Sequence, residues 1–138
     1  MTSQGTWPIL EIIMSQEVLK ASSTTTIDRR SKVRIPALLR KSIEEKYGKD
    51  FFVTTLDRKT VSIYPQEEWD KIQDKTREMF SNSPEFGEFF RFVHTLGTLE
   101  EIDKRAKVPI NKSLKKAIHL GGEIAIRWEK DHLVLSAK

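Results

Sequence analysis

The sequence predicts an α+β protein made of two copies of one strand–strand–helix–strand–strand unit, with a helical hairpin between the copies. Three observations lead there. The segment DRRSKVRIP at residues 28–36 returns as DKRAKVPIN at residues 103–111, 75 positions later. Around each copy, apolar residues alternate, then recur at helical spacing, then alternate again. The stretch joining the copies, from Pro65 to Gly97, keeps helical spacing rather than the composition of a disordered tether.

The first unit reads in order. Thr24 to Ile27 is a β-branched run and a short strand. Asp28 to Ser31 is polar and turn-like. Lys32-Val33-Arg34-Ile35 alternates, with Val33 and Ile35 inward and Lys32 and Arg34 outward. Pro36 suits the first turn of a helix, where its missing N–H costs nothing. Leu39, Ile43 and Tyr47 line one face of that helix, and Gly48 stops it. A hairpin follows, Phe51 to Thr55 and Thr60 to Tyr64, turning at Asp57-Arg58-Lys59.

The second unit repeats the scheme. Val108 and Ile110 point in, Asn111 takes the place of the proline and can cap the helix, and Leu114 and Ile118 line its inner face. Gly121-Gly122 is expected to end that helix, and Ile124 to Trp128 with Leu133 to Leu135 make the last hairpin. Between the units, Pro65 followed by Gln66, Glu67 and Glu68 reads as a helix opening. Trp69, Ile72, Thr76 and Met79 keep helical spacing, Ser81-Asn82-Ser83-Pro84 breaks it, and Phe86, Phe89, Phe90 and Val93 mark a second, apolar helix. That aromatic face is expected to be core or subunit interface. The boundaries are a 1–20 extension, units at 21–65 and 98–138, and a connecting hairpin at 66–97, the two units being intertwined as one globular domain.

Composition narrows the function classes. The chain has 138 residues, 38% hydrophobic and 32% charged, which fits a globular protein. It has no cysteine, so neither a disulfide nor a thiolate metal site can form. Trp7 to Met14 is a short apolar patch without the flanks of a signal peptide, and residues 1–13 read either as an extension or as a start-site choice. Net charge is only +4, but residues 28–50 carry +4 and residues 103–119 carry +5, leaving −5 for the rest. Positive charge concentrated on the repeated segments is the footprint of a polyanion-binding face. Catalytic constellations are missing. Gly121-Gly122 stands alone, His94, His119 and His132 are not ligand-spaced, and no serine sits in a nucleophile elbow. No enzyme activity, cofactor or metal is expected.

At Asp28 and Asp103 the sequence resembles the MraZ family of the AbrB/SpoVT-like superfamily, which carries two copies of Asp-x-x-Gly-Arg, each followed by a hydrophobic-x-Ile-Pro-like step and a helix. Here the copies read Asp28-Arg-Arg-Ser-Lys32 and Asp103-Lys-Arg-Ala-Lys107, the first ending in Ile35-Pro36. YPQEEW from Tyr64 to Trp69, and Phe89-Phe90-Arg91-Phe92 before the second copy, match further family features. The resemblance covers about residues 20 to 135. It implies a small AbrB-like β-barrel formed by the two pseudo-twofold-related units. It also implies homo-oligomeric rings and a cytoplasmic, nucleoid-associated transcriptional regulator that binds repeated promoter sites of the division and cell-wall gene cluster. Relatives of this barrel also serve as antitoxins, so a protein-interaction module is the alternative.

On this reading Arg29, Arg30, Lys32 and Arg34 from one unit, and Lys104, Arg105 and Lys107 from the other, face double-stranded DNA. Asp28 and Asp103 accept turn N–H groups and orient neighbouring arginines. The chain departs from the family where Lys-Gly-Arg is usual. It reads Arg30-Ser31-Lys32 and Arg105-Ala106-Lys107. Without glycine, a turn of different shape is expected. Lysine also lacks the planar fork that reads guanine, so either Arg30 and Arg105 take over base reading or binding leans on phosphates.

Overall fold

The computed structural model describes residues 23–80 and 82–137. The 1–20 extension and the Trp7 to Met14 patch lie outside the described residues. In chain order the elements are β1 (Ser23–Thr26), β2 (Lys32–Arg34), α1 (Ala37–Tyr47), β3 (Asp50–Thr54) and β4 (Val61–Pro65), then α2 (Gln66–Phe80) and α3 (Pro84–Leu96). The series then repeats as β5 (Thr98–Glu101), β6 (Lys107–Pro109), α4 (Lys112–Ile118), β7 (Glu123–Glu129) and β8 (His132–Ala137).

The strands pair across the repeat. A six-stranded antiparallel sheet runs β1-β7-β8-β4-β3-β5, and β2 pairs with β6 in a separate ribbon. The first strand of each unit therefore joins the other unit's third strand: Ser23 sits opposite Ile126, and Thr98 opposite Val53. The two units meet twice on a pseudo-twofold axis, at the pair Val33–Val108 in the ribbon and at Ser62–Val134 in the sheet. β1 and β5 remain the two edges of the large sheet, so the sheet is open and not the closed barrel that the resemblance implied. With β2 and β6 diverted into their own ribbon, the strands that could have bridged the edges are used elsewhere.

The main core is built from matched pairs. Val33 with Val108, Ile35 with Ile110, Leu39 with Leu114, Ile43 with Ile118, Phe51 with Ile124, Val53 with Ile126, Val61 with Leu133 and Ile63 with Leu135 are all buried in one cluster. Each such side chain is worth about 1.5–3 kcal/mol of burial, so neither half could keep this surface exposed alone. The other face of β3 and β4 is different. Phe52 and Tyr64 point there and pack with Trp69 of α2 and Val93 of α3 in a second cluster. The Phe52 and Trp69 rings stack at 4.6 Å, and the buried Thr54 hydroxyl donates to the Val93 carbonyl at 2.7 Å. Of the hairpin's apolar face, Trp69 and Val93 are core, with Ile72 and Phe92 packed against them, whereas Phe86 and Phe90 are only half-buried and Phe89 and Met79 are exposed.

Three local expectations shift. Pro65 closes β4, paired with Phe51, and α2 starts one residue later. Pro36 is the cap residue before α1 rather than its first helical residue, because its ψ of 142° is still extended. α4 ends at Ile118, before the glycines, since His119 itself takes the left-handed cap conformation (φ 57°, ψ 40°). Asn111 does cap α4, its side chain accepting from the Leu114 N–H at 2.8 Å.

Candidate nucleic-acid interface

Each basic segment is a tight hairpin loop held by its own aspartate. The Ser31 N–H donates to the Asp28 carbonyl at 3.0 Å, and the Asp28 N–H donates to the Lys32 carbonyl at 2.9 Å. The second loop repeats this, Ala106 N–H to the Asp103 carbonyl and Asp103 N–H to the Lys107 carbonyl, both at 3.0 Å. This is the bonding of a three-residue loop whose last residue must be left-handed, the place where glycine is favoured. Ser31 and Ala106 adopt that conformation, with φ of 61° and 62°. The left-handed step survives without glycine, because the hydrogen bonds on either side dictate it.

The aspartate side chain completes the loop. Asp28 Oδ1 accepts from the backbone N–H of Arg30 at 2.8 Å and of Lys32 at 3.0 Å. Asp103 Oδ1 accepts from Arg105 at 2.8 Å and Lys107 at 2.9 Å. A short carboxylate suits this reach to N–H groups two and four residues on.

The β2–β6 ribbon sets the two loops beside one another. The Ile35 N–H donates to the Ala106 carbonyl at 2.7 Å, and the Ile110 N–H to the Ser31 carbonyl at 2.8 Å. Each loop thus receives a backbone bond from the opposite unit. The ion pairs also cross: Lys107 Nζ lies 2.8 Å from Asp28 Oδ2, and Lys32 Nζ lies 3.5 Å from Asp103 Oδ2. The Lys107 ammonium, then the Lys32 backbone N–H, hold the Asp28 carboxyl down at about 2. The Asp103 carboxyl is also lowered, foremost by the Lys107 backbone N–H, against partial desolvation. Arg40 of α1 reaches the same corner, its Nη2 donating to the Asp103 carbonyl at 3.5 Å.

The seven cations singled out from the sequence divide by environment. Arg29, Arg30, Arg34, Lys104 and Arg105 are exposed. Lys32 and Lys107 are half-buried within the crossed pairs. No ion pair holds the side chains of Arg29, Arg30, Lys104 or Arg105 among the described residues. The aspartates grip the backbone of Arg30 and Arg105, and the lysines of the opposite loop, rather than a guanidinium. Sequence reasoning missed both the crossing and Arg40. The partners lie 63 to 79 residues apart, and no local spacing encodes such a meeting. Beside the ribbon, Arg34 and the β1 threonines line a polar groove of about 400 Å³ that also takes in Glu123. Among the described residues no cluster of His, Asp and Glu could hold a metal ion, and no helix is long and apolar enough to cross a membrane.

Fold and site together define a tandem-repeat α+β protein whose two halves exchange strands and present paired basic hairpin loops. Known proteins are similar to the chain along most of its length. The "Transcriptional regulator MraZ" of Acidobacterium capsulatum is 27% identical over 116 residues, covering 84% of this chain and 80% of the relative. That of Koribacter versatilis is 27% identical over 119 residues, covering 86% and 81%. That of Syntrophobacter fumaroxidans is 26% identical over 113 residues, covering 82% and 75%. No family model matches the chain. Over more than four-fifths of its length the chain is thus similar to these MraZ transcriptional regulators.

Proposed function

We propose that this protein is a DNA-binding transcriptional regulator that meets double-stranded DNA with its two hairpin loops. The observation that carries this reading is the pairing of two structurally equivalent loops that expose Arg29, Arg30, Lys104 and Arg105, whose side chains have no ion-pair partner among the described residues. A rigid loop with exposed guanidinium groups suits a base edge, because arginine can address guanine O6 and N7 together. Flanking cations contact phosphate and give affinity without sequence preference. The loops are rigid because both aspartate oxygens and two inter-unit backbone bonds are engaged. Similarity along most of the chain to relatives bearing the name transcriptional regulator supports the same reading.

In this proposal residues 21–65 and 98–138 act as one intertwined domain, with 66–97 as its connecting hairpin. The target is the repeated sites upstream of a division and cell-wall gene cluster, bound by a homo-oligomeric ring in the nucleoid. The open sheet edges at β1 and β5, and the exposed Leu99 on β5, are surfaces through which copies could join. A gel shift on the gene's own upstream region tests the function. The double variant Arg30→Ala, Arg105→Ala is expected to lose on the order of tenfold in affinity or more for each arginine removed. Undiminished, sequence-specific binding by that variant would refute the site.

A further inference from the structure

We infer that Lys32 and Lys107 clasp the two loops to each other rather than touch DNA, and that sequence discrimination rests on Arg30 and Arg105. This inference rests on the DNA-binding reading above and assigns roles within it. Four observations carry it.

First, each lysine is already engaged across the pseudo-twofold axis, Lys107 with Asp28 at 2.8 Å and Lys32 with Asp103 at 3.5 Å. Second, the aspartates cannot follow a lysine that swings away, since each Oδ1 is fixed by two backbone N–H groups of its own loop. A lysine leaving for a phosphate would expose a fixed carboxylate beside a polyanion, an unfavourable exchange at short range. Third, the four side chains of the crossed pairs are only 21–36% exposed, whereas Arg30 and Arg105 stand in solvent at the loop apices. Fourth, the clasp runs parallel to the backbone bonds Ile35 to Ala106 and Ile110 to Ser31, so charge and backbone fix the same relative placement of the loops. Two readers held at one spacing bind a duplex with less entropy loss than two that move independently. The lysines therefore act as positioning residues: they neutralise the aspartates and set the distance between the arginines.

The test replaces each crossed pair by a neutral one: Lys107→Met with Asp28→Asn, and Lys32→Met with Asp103→Asn. Asparagine keeps the Oδ1 acceptor for the loop N–H groups, and the net charge of each pair stays zero. The probe is a pool of randomised DNA duplexes, from which bound sequences are selected, together with a salt titration on the best-enriched duplex. Affinity is expected to fall up to about fivefold per pair removed. The salt slope and the selected sequence are expected to stay those of the wild type. Arg30→Gln with Arg105→Gln is expected to abolish enrichment of any particular sequence. A neutral-pair variant whose slope drops by about 0.9 per pair would show a lysine on phosphate and overturn the inference. So would a changed selected sequence.

Should the neutral pairs unfold, Lys32→Arg with Lys107→Arg preserves the clasp while offering a fork. An unchanged selected sequence supports the inference, and a newly acquired guanine preference overturns it. Failure of the wild type to enrich or bind any duplex would instead remove the functional reading itself, and the assignment with it.

Discussion

Ser31 and Ala106 occupy equivalent loop positions at φ of 61° and 62°, yet replacing each with glycine should give different results. A non-glycine residue in the left-handed region costs roughly 1–2 kcal/mol, which glycine relieves. Glycine also loses more freedom on folding, roughly 0.5–1 kcal/mol. These two terms leave Ser31→Gly more stable by about 0.5–1 kcal/mol, because the serine is only half-buried and its hydroxyl makes no hydrogen bond among those described. Ala106 is buried, at 8% exposure. Removing its methyl forfeits about 0.8 kcal/mol of burial, so Ala106→Gly should be close to neutral. Denaturant unfolding of the two single variants and the double reads the difference directly. The pair should differ by about 0.8 kcal/mol with unchanged slope, since neither change alters the surface exposed on unfolding. Destabilisation by 1 kcal/mol or more in both would refute the argument that the hydrogen-bonded loop imposes a glycine conformation on them.

Other consequences follow from the packing and the charges. Gly97 lies at φ −94°, so its backbone does not need glycine, but a Cβ there would collide with the Phe52 ring and sit 2.8 Å from the Val93 carbonyl. Gly97→Ala should cost about 1–3 kcal/mol in equilibrium unfolding, and a loss below about 0.5 would mean that α3 backs away freely. Thr54→Val removes the buried hydroxyl that satisfies the Val93 carbonyl, with little change of shape, and should cost about 1–3 kcal/mol by thermal melting. A neutral outcome would mean that water replaces the bond. Asp28 is held at about 2, below its ordinary 3.8, so folding favours its ionised form. Its contribution is complete above the ordinary value and disappears as pH falls from about 4 through 2. Stability measured against pH should therefore decline more steeply in the wild type than in Asp28→Asn over that window, and parallel curves would contradict the shift.

Much of the fold could be read from the chain because it is local. The alternation at Val33 and Ile35, the helical spacing at Leu39 and Ile43, and the cap at Asn111 each depend on neighbours within a few residues. The duplication doubled that signal: nearly every inward residue aligned between the copies is buried in the same cluster as its equivalent. The local errors fell at element ends. Pro65 can close a strand as readily as open a helix, and His119 reached the left-handed cap before the glycines did.

Local sequence pattern alone sets which residues form strands, helices and loops, which faces are apolar, and that Asp28 and Asp103 belong to the turns. Long-range packing sets which strands pair, that the large sheet stays open at β1 and β5, and that Lys32 and Lys107 cross to the opposite aspartates. Alternation and helical spacing are enforced by the geometry of the adjacent backbone. The choice of partner 71 or 79 residues away depends on how two apolar surfaces close over one another, and a lysine in a turn carries no mark of which carboxylate it will meet.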